Sequence, residues 1–338
     1  MTTTEERLAL LDRLTGRRIL VIGDMIADVY LDGRISRISR EAPVLVLQHA
    51  GERVVAGGAA NVVNNVATLG GRALAAGIVG EDTAAEGLRA ILEKNGAATD
   101  GLIGDAARPT TSKTRIIAGG RETVSQQIVR VDRESQEPLA PEKEAALWRY
   151  IEDALPTLDG LVLSDYGGAV VTEGLRRKVL TAARARGVVT IVDSRYAIRQ
   201  YTGVDFVKQN DTELAAAVGE KLRSEDDLRR AGRALLRQLD AKGVLVTRGE
   251  KGMTLFEADG AVTDIPVADK SEVYDVSGAG DTCVAAVILA LAANALPRQA
   301  AWLSNVASGI AVRKMGTATV SRQELAAAIR KLAAAGVA

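Results

Sequence analysis

The stretch EVYDVSGAGDTCVAAVILALAA, residues 272–293, decides how the rest of the chain is read. Gly278 and Gly280 permit a tight backbone turn, and the apolar run from Thr282 onward reads as a buried helix. Gly278-Ala279-Gly280-Asp281 therefore presents unpaired backbone N–H groups at a helix N-terminus, where the dipole places roughly half a positive charge. Such a turn is an anion hole suited to the charge that develops on a phosphoryl group in transfer. Asp281 either caps this helix or faces an incoming hydroxyl as a base. The local sequence leaves both open.

Outward from this turn, short apolar runs alternate with helical spacing. RRILVIG (17–23) reads as a buried strand, Gly58 to Leu69 as a helix stopped by Gly70-Gly71, RALAAGIVG (72–80) as a strand and Thr83 to Lys94 as a helix. Strands follow at 160–165, 188–193, 205–210 and 243–249, with helices at 173–186, 211–218, 224–239, 279–293 and 298–313. This alternation predicts one α/β unit over 1–338, a mainly parallel sheet with helices on both faces. Two segments, 29–50 and 110–133, lack helical period and are rich in Val, Ile, Thr and Arg, with Gly119-Gly120 as a hairpin turn. They read as insertions that form a small β-sheet, either a lid over a site or plain surface hairpins.

Composition narrows the function. Of 338 residues, 47% are hydrophobic and only 3% aromatic, so Ala, Val, Leu and Ile must build the core. Lys+Arg and Asp+Glu both number 43, which gives no global reason to expect nucleic acid or an anionic membrane as partner. Cys283 is the single cysteine, so an intramolecular disulfide and a multi-cysteine metal site are excluded. His49, the single histidine, sits in an alternating run and reads as structural, leaving acid–base work to carboxylates. MTTTEERLALLDRL reads as a surface helix, not a signal peptide, and no apolar run reaches membrane-spanning length, so a cytoplasmic protein is expected.

Several marks occur together in order. They are Gly57-Gly58-Ala59-Ala60-Asn61, Gly77-x-Val79-Gly80-x-Asp82, Asn210-x-x-Glu213, Val246-Thr247-Arg248-Gly249-x-x-Gly252, and Asp275 followed by Gly278 to Asp281. In this the chain resembles the PfkB, or ribokinase-like, family of carbohydrate kinases over roughly residues 17–325. The resemblance implies a three-layer α/β/α domain with a small β-sheet lid, ATP and Mg²⁺ as cofactors, and a monovalent cation as an optional third. It implies Asp281 as the base that takes the proton of the sugar hydroxyl, with Gly278, Ala279 and Gly280 as the anion hole. Asp24, Asp28, Gly57, Gly58 and Asn61 are then expected at the sugar, a surface loop being the bland reading of Asp24 and Asp28. Asn210 and Glu213 are expected to organise Mg²⁺ through water, or to cap the following helix. Thr247, Gly249, Gly252 and Asn305 are expected beside the nucleotide together with Asn210.

The finer resemblance is to the branch of the family that phosphorylates D-glycero-D-manno-heptose 7-phosphate at the anomeric hydroxyl. It rests on Ser36-Arg37-Ile38-Ser39-Arg40-Glu41-Ala42-Pro43-Val44, Thr111 to Arg115, Gln126 to Asp132, Leu163-Ser164-Asp165-Tyr166, Glu272 to Val276, and Gly316-Thr317-x-Thr319-Val320-Ser321. It implies Arg37, Arg40, Lys113 and Arg115 as cations for a distal phosphate, and Asp165 at the sugar; exposed strand decoration is the alternative for the cations. Gly168 stands where that branch carries Lys, and Ser194-Arg195 and Lys208-Gln209 replace Pro-Lys and Thr-Pro. Arg195 and Lys208 could restore the lost charge, though Arg and Lys differ in geometry. Ribose, fructose or a fructose phosphate is the alternative acceptor, and an idle sugar-binding relative the reading from another class. A homodimer through the lid and a separate nucleotidyltransferase acting downstream are the expected partners.

Overall fold

The computed structural model describes residues 3–119, 125–268 and 273–336. In chain order the strands are β1 (Arg18–Gly23), β2 (Met25–Ile38), β3 (Leu45–Gly58), β4 (Arg72–Val79), β5 (Ala98–Gly104), β6 (Ser112–Gly119), β7 (Gln126–Arg133), β8 (Gly160–Asp165), β9 (Val189–Ser194), β10 (Phe206–Asn210), β11 (Gly243–Thr247), β12 (Met253–Glu257) and β13 (Val262–Ile265). The helices are α1 (Thr4–Leu14), α2 (Ala59–Thr68), α3 (Thr83–Lys94), α4 (Pro141–Ala154), α5 (Glu173–Arg186), α6 (Asp211–Val218), α7 (Glu225–Leu239), α8 (Ala279–Ala292), α9 (Pro297–Ala311) and α10 (Arg322–Ala334).

Alternation along β1 makes the layers. Ile19 and Val21 enter one apolar core with α1, α2, α3, α8, α9 and α10, while Leu20 and Ile22 enter a second with α4, α5, α6 and α7. Side chains on a strand point to opposite faces in turn, so a strand apolar throughout must be covered on both. The sheet between the layers has the order β13-β12-β11-β10-β9-β8-β1-β4-β5. Its pairs from β11 through β10, β9, β8, β1 and β4 to β5 are parallel, and β12 and β13 close one edge antiparallel. The predicted α/β architecture is therefore present, with the antiparallel edge added.

The two segments without helical period form a second sheet, β3-β2-β6-β7. It takes in Met25–Ile38 and Leu45–Gly58, so it is rooted deeper than 29–50: β2 starts two residues after β1 ends, and β3 runs straight into α2. The buried Met25, Ile26 and Ala27 continue the extended backbone into the body of the protein. Strand β6 ends at Gly119; Gly120, the second residue of the expected hairpin turn, lies outside the described residues, as does Glu272. α1 is less superficial than its sequence suggests, because Leu10, Leu11 and Leu14 are buried. His49 is exposed in β3. Among the described residues no helix is long and apolar enough to cross a membrane.

Candidate active site

The parallel strands end along one edge, and the residues that carry chemistry cluster at those ends. Asp24 follows β1, Asp165 and Tyr166 close β8, Asp193 lies near the end of β9, and Lys208 and Asn210 near that of β10. This edge is where open α/β sheets bind ligands. α8 begins against it. Its N-cap is Gly278, with φ 76°, a left-handed backbone that suits glycine. A Cβ at Gly278 would come within 2.6 Å of Asn61 Nδ2, and one at Gly280 within 2.8 Å of Lys208 Nζ. Gly278 is thus favoured by both its backbone and its close neighbour, whereas at Gly280 a side chain would have to displace the Lys208 ammonium.

Asp281 is 4% exposed, and its carboxylate is turned to other elements. Asn61 Nδ2 on α2 donates to Oδ2 at 2.8 Å, and the Tyr166 hydroxyl donates to Oδ1 at 2.8 Å. Asn61 is steadied in turn by Asn65, whose Nδ2 donates to its Oδ1 at 3.1 Å. The capping alternative fails here: no side chain caps α8, and Asp281 lies inside its first turn. Burial pushes the Asp281 carboxyl up to about 6, with the Asn61 and Tyr166 hydrogen bonds opposing it. Burial, then the neighbouring Asp281 charge, holds the Tyr166 phenol well above its ordinary value, so it stays a donor.

A cleft of about 100 Å³ lies in front of Asp281, lined also by Asp193, Arg195, Lys208, Glu213 and Gly280. Lys208 Nζ meets Asp193 Oδ2 at 3.0 Å in a buried pair. Burial acts to lower the lysine, but Asp193 and Glu213 outweigh it and hold the ammonium above its ordinary value. Both cations that replace the branch's motif residues thus line the same cleft as Gly278 and Gly280. Tyr166, Asp193, Arg195 and Lys208 are absent from the expected site set; sequence reading marks Arg195 and Lys208 only as replacement charges and Tyr166 only as part of a motif, and their assembly at one cleft appears in space.

Asn210 and Glu213 form a reciprocal cap on α6. Asn210 Oδ1 accepts from the Glu213 N–H at 2.7 Å, and Glu213 Oε2 accepts from the Asn210 N–H at 2.8 Å. Glu213 still lines the cleft, and burial raises its carboxyl despite Lys208. A second, larger cleft of about 680 Å³ adjoins at Gly280 and Ala279 and is lined by Thr247, Gly249, Gly252, Met253, Val276 and Asn305. Four of the five residues expected beside a nucleotide are brought together there; Asn210, at the cap of α6, does not line this cleft.

On the other side, Asp24 is buried, its Oδ2 accepting from the N–H groups of Tyr166 at 2.7 Å and Gly168 at 3.0 Å. Its Oδ1 has no internal partner, and burial pushes the carboxyl up to about 6. Asp28 Oδ1 accepts from Arg115 Nη1 at 2.6 Å, and Gly57 packs on the same carboxylate. Lys113 Nζ stands 5.8 Å above the Tyr166 ring. Asp165 accepts from the Gly167 N–H at 3.0 Å, Ser194 Oγ at 2.8 Å and Tyr201 Oη at 2.7 Å. Arg37 and Arg40 are exposed at the far end of β2 and beyond it. Nine residues of strand, on the order of 30 Å, separate Arg37 from Asp28.

Residues 17–324 match the family described as pfkB family carbohydrate kinase. The Bifunctional protein HldE of Azorhizobium caulinodans is 44% identical over 318 residues, which cover 94% of this chain and 65% of that protein. The chain thus spans just under two thirds of the length of this relative. Phosphofructokinase-2 from Escherichia coli, solved with substrates and products, superposes with a TM-score of 0.74 at 21% identity, covering 94% of this chain and all (100%) of the other. Arabidopsis thaliana ribokinase, solved with ribose and ATP, gives 0.71 at 17% identity, covering 94% and 99%. At these identities the two structures establish the ribokinase-like fold.

Proposed function

This chain belongs to the pfkB family of carbohydrate kinases, and on that premise we propose that it transfers the γ-phosphoryl group of ATP to the anomeric hydroxyl of D-glycero-D-manno-heptose 7-phosphate, giving the 1,7-bisphosphate. The observation that carries the catalytic part is the Asp281 carboxylate, turned from its own helix and held facing a cleft beside an anion hole. Asp281 takes the hydroxyl proton as the new O–P bond forms and the bond from Pγ to the departing ADP oxygen breaks. A carboxyl near 6 is mostly ionised at pH 7, and a loose transition state asks for proton removal only late. The N–H groups of Gly278, Ala279 and Gly280, with Lys208 close beneath, receive the charge on the phosphoryl oxygens.

Asp24, through its unpartnered Oδ1, and Asn61 hold the sugar, with Asp28, Gly57 and Gly58 shaping its side of the site. Asp165, already engaged by three internal donors, braces the β8 and β9 ends around it. Lys113 and Arg115, on the lid strand beside the site, receive the distal phosphate. Thr247, Gly249, Gly252 and Asn305 border the nucleotide. Glu213 and Asn210 offer only oxygen and amide groups, which fits a hard cation held through water. Mg²⁺ there would neutralise phosphate oxygens. Among the described residues no cluster of three or more His, Cys, Asp or Glu stands ready to grip a metal directly. A sugar 1-phosphate product is the kind of compound a nucleotidyltransferase consumes, which fits a partner activity downstream.

The lid carries apolar side chains on open strands, Ile38 at 66% and Val131 at 54% exposure among them. We read this as the face of a homodimer, lid against lid; a monomer by light scattering at micromolar concentration would contradict it. The acceptor is tested with ATP and a panel of heptose 7-phosphate, ribose, fructose and fructose phosphates. Heptose 7-phosphate should give the highest kcat/KM, and ribose or fructose outpacing it would refute the assignment.

A further inference from the structure

Tyr166 joins two carboxylates that arrive from opposite ends of the chain. Its backbone N–H donates to Asp24 Oδ2 at 2.7 Å, and its hydroxyl donates to Asp281 Oδ1 at 2.8 Å. From the other side Asn61 donates to Asp281 Oδ2 at 2.8 Å. Each oxygen of the base is therefore gripped by one neutral donor. A carboxylate has about four acceptor sites, so two donors stop its rotation and still leave lone pairs for a proton.

From this geometry we propose that Tyr166 is a positioning residue, fixing the angle of the Asp281 carboxylate relative to the acceptor held at Asp24. The inference deepens the function proposed above and rests on Asp281 being the base. A buried tyrosine commonly finds some acceptor for its hydroxyl; here the same residue also anchors the acceptor-side carboxylate by its main chain. Tyr166 has a further contact that a plain packing residue would not need, since Lys113 of the lid stands over its ring. The charged groups around the pair are Asp193, Arg195 and Lys208 from the neighbouring strand ends, Glu213 from α6, Asp165 on β8 and Asp24 after β1.

The test compares the unaltered protein, Tyr166→Phe and Asp281→Asn in kinase assays across pH, with ATP and the best acceptor of the panel. Tyr166→Phe should lower the plateau kcat roughly 10-fold through misplacement of the base. It should also move the acid limb of kcat/KM upward by about one pH unit, because a donor favouring the ionised form is gone. KM for ATP should not change. Installing 3-fluorotyrosine at position 166, a stronger donor, should move the limb down; this arm decides if thermal melting shows that Tyr166→Phe does not fold. A limb and plateau identical to the unaltered protein, beside an inactive Asp281→Asn, would overturn the proposal alone. Undiminished turnover by Asp281→Asn would remove the base and the proposal together.

Discussion

At the carboxyl edge of the nine-stranded sheet, Lys208 meets Asp193 at 3.0 Å with side chains 6% and 11% exposed. On the second, smaller sheet, proposed above as a lid, Arg53 meets Asp32 at 2.9 Å with side chains 58% and 39% exposed. The two pairs look alike by distance and differ in what surrounds them. Water screens the lid pair and solvates each partner when the other leaves. At the sheet edge neither charge has that refuge, so each is held in place by the other. The same contrast separates the buried carboxylates at the sheet edge from the open strands of the second sheet.

The largest effect should come from the most buried group. Asp281→Asn should cut kcat by at least about 10²–10⁴-fold while leaving ATP affinity near its original value, as read by kinase assay and calorimetry. In the unaltered protein, kcat/KM should fall tenfold per unit as pH drops below about 6, where the carboxyl takes up its proton. Stability runs the other way. A carboxyl raised above its unfolded value contributes stability that is present below about pH 4 and lost as pH rises through about 6. Asp281→Asn should therefore gain about 2–3 kcal/mol over the original in urea melts above pH 7, and the gain should vanish near pH 4. An equal difference at both pH values would mean that burial does not strain this carboxylate.

Breaking the ion pairs sharpens the comparison. Lys208→Met leaves Asp193 buried without its cation and should cost about 3–5 kcal/mol in the same melts. Arg53→Ala on the lid should stay within about 1 kcal/mol. If the two variants lose equal stability, burial is not what distinguishes the sheet edge from the lid.

Sequence reading reached the layered fold because β1, β8 and β11 are apolar on both faces and α2, α3 and α5 have clear stops. It reached Asp281 because glycines at 278 and 280 before an apolar helix leave few other readings. It left cap and base equally open; the contacts that turn the carboxylate away from its own helix lie 220 residues away in Asn61 and 115 away in Tyr166. No local period encodes such a contact. The Lys208–Asp193 pair was hidden for the same reason: two strands bring it together, and each residue alone looks like a strand-end charge. The second sheet was anticipated, but its strands start deeper than 29–50, since the buried Met25–Ala27 stretch reads as loop until its pairing with Ala56, Gly57 and Gly58 is known. Arg37 and Arg40, grouped with Lys113 and Arg115 by sequence reading, lie apart from them, because Lys113 and Arg115 pair with Asp28 and Tyr30 of β2, well short of its far end.

One residue, Asp24, stands between the last residue of β1 and the first of β2. An interior strand of the nine-stranded sheet and an interior strand of the second sheet thus form one nearly continuous run, joined at Asp24. β2 is 14 residues long, about 40 Å at the usual rise, so a 10° swing would carry its tip roughly 7 Å while hardly displacing the pivot. A turn of the outer sheet about this junction would carry its tip far while leaving Asp24 close to where it stands relative to Asp281.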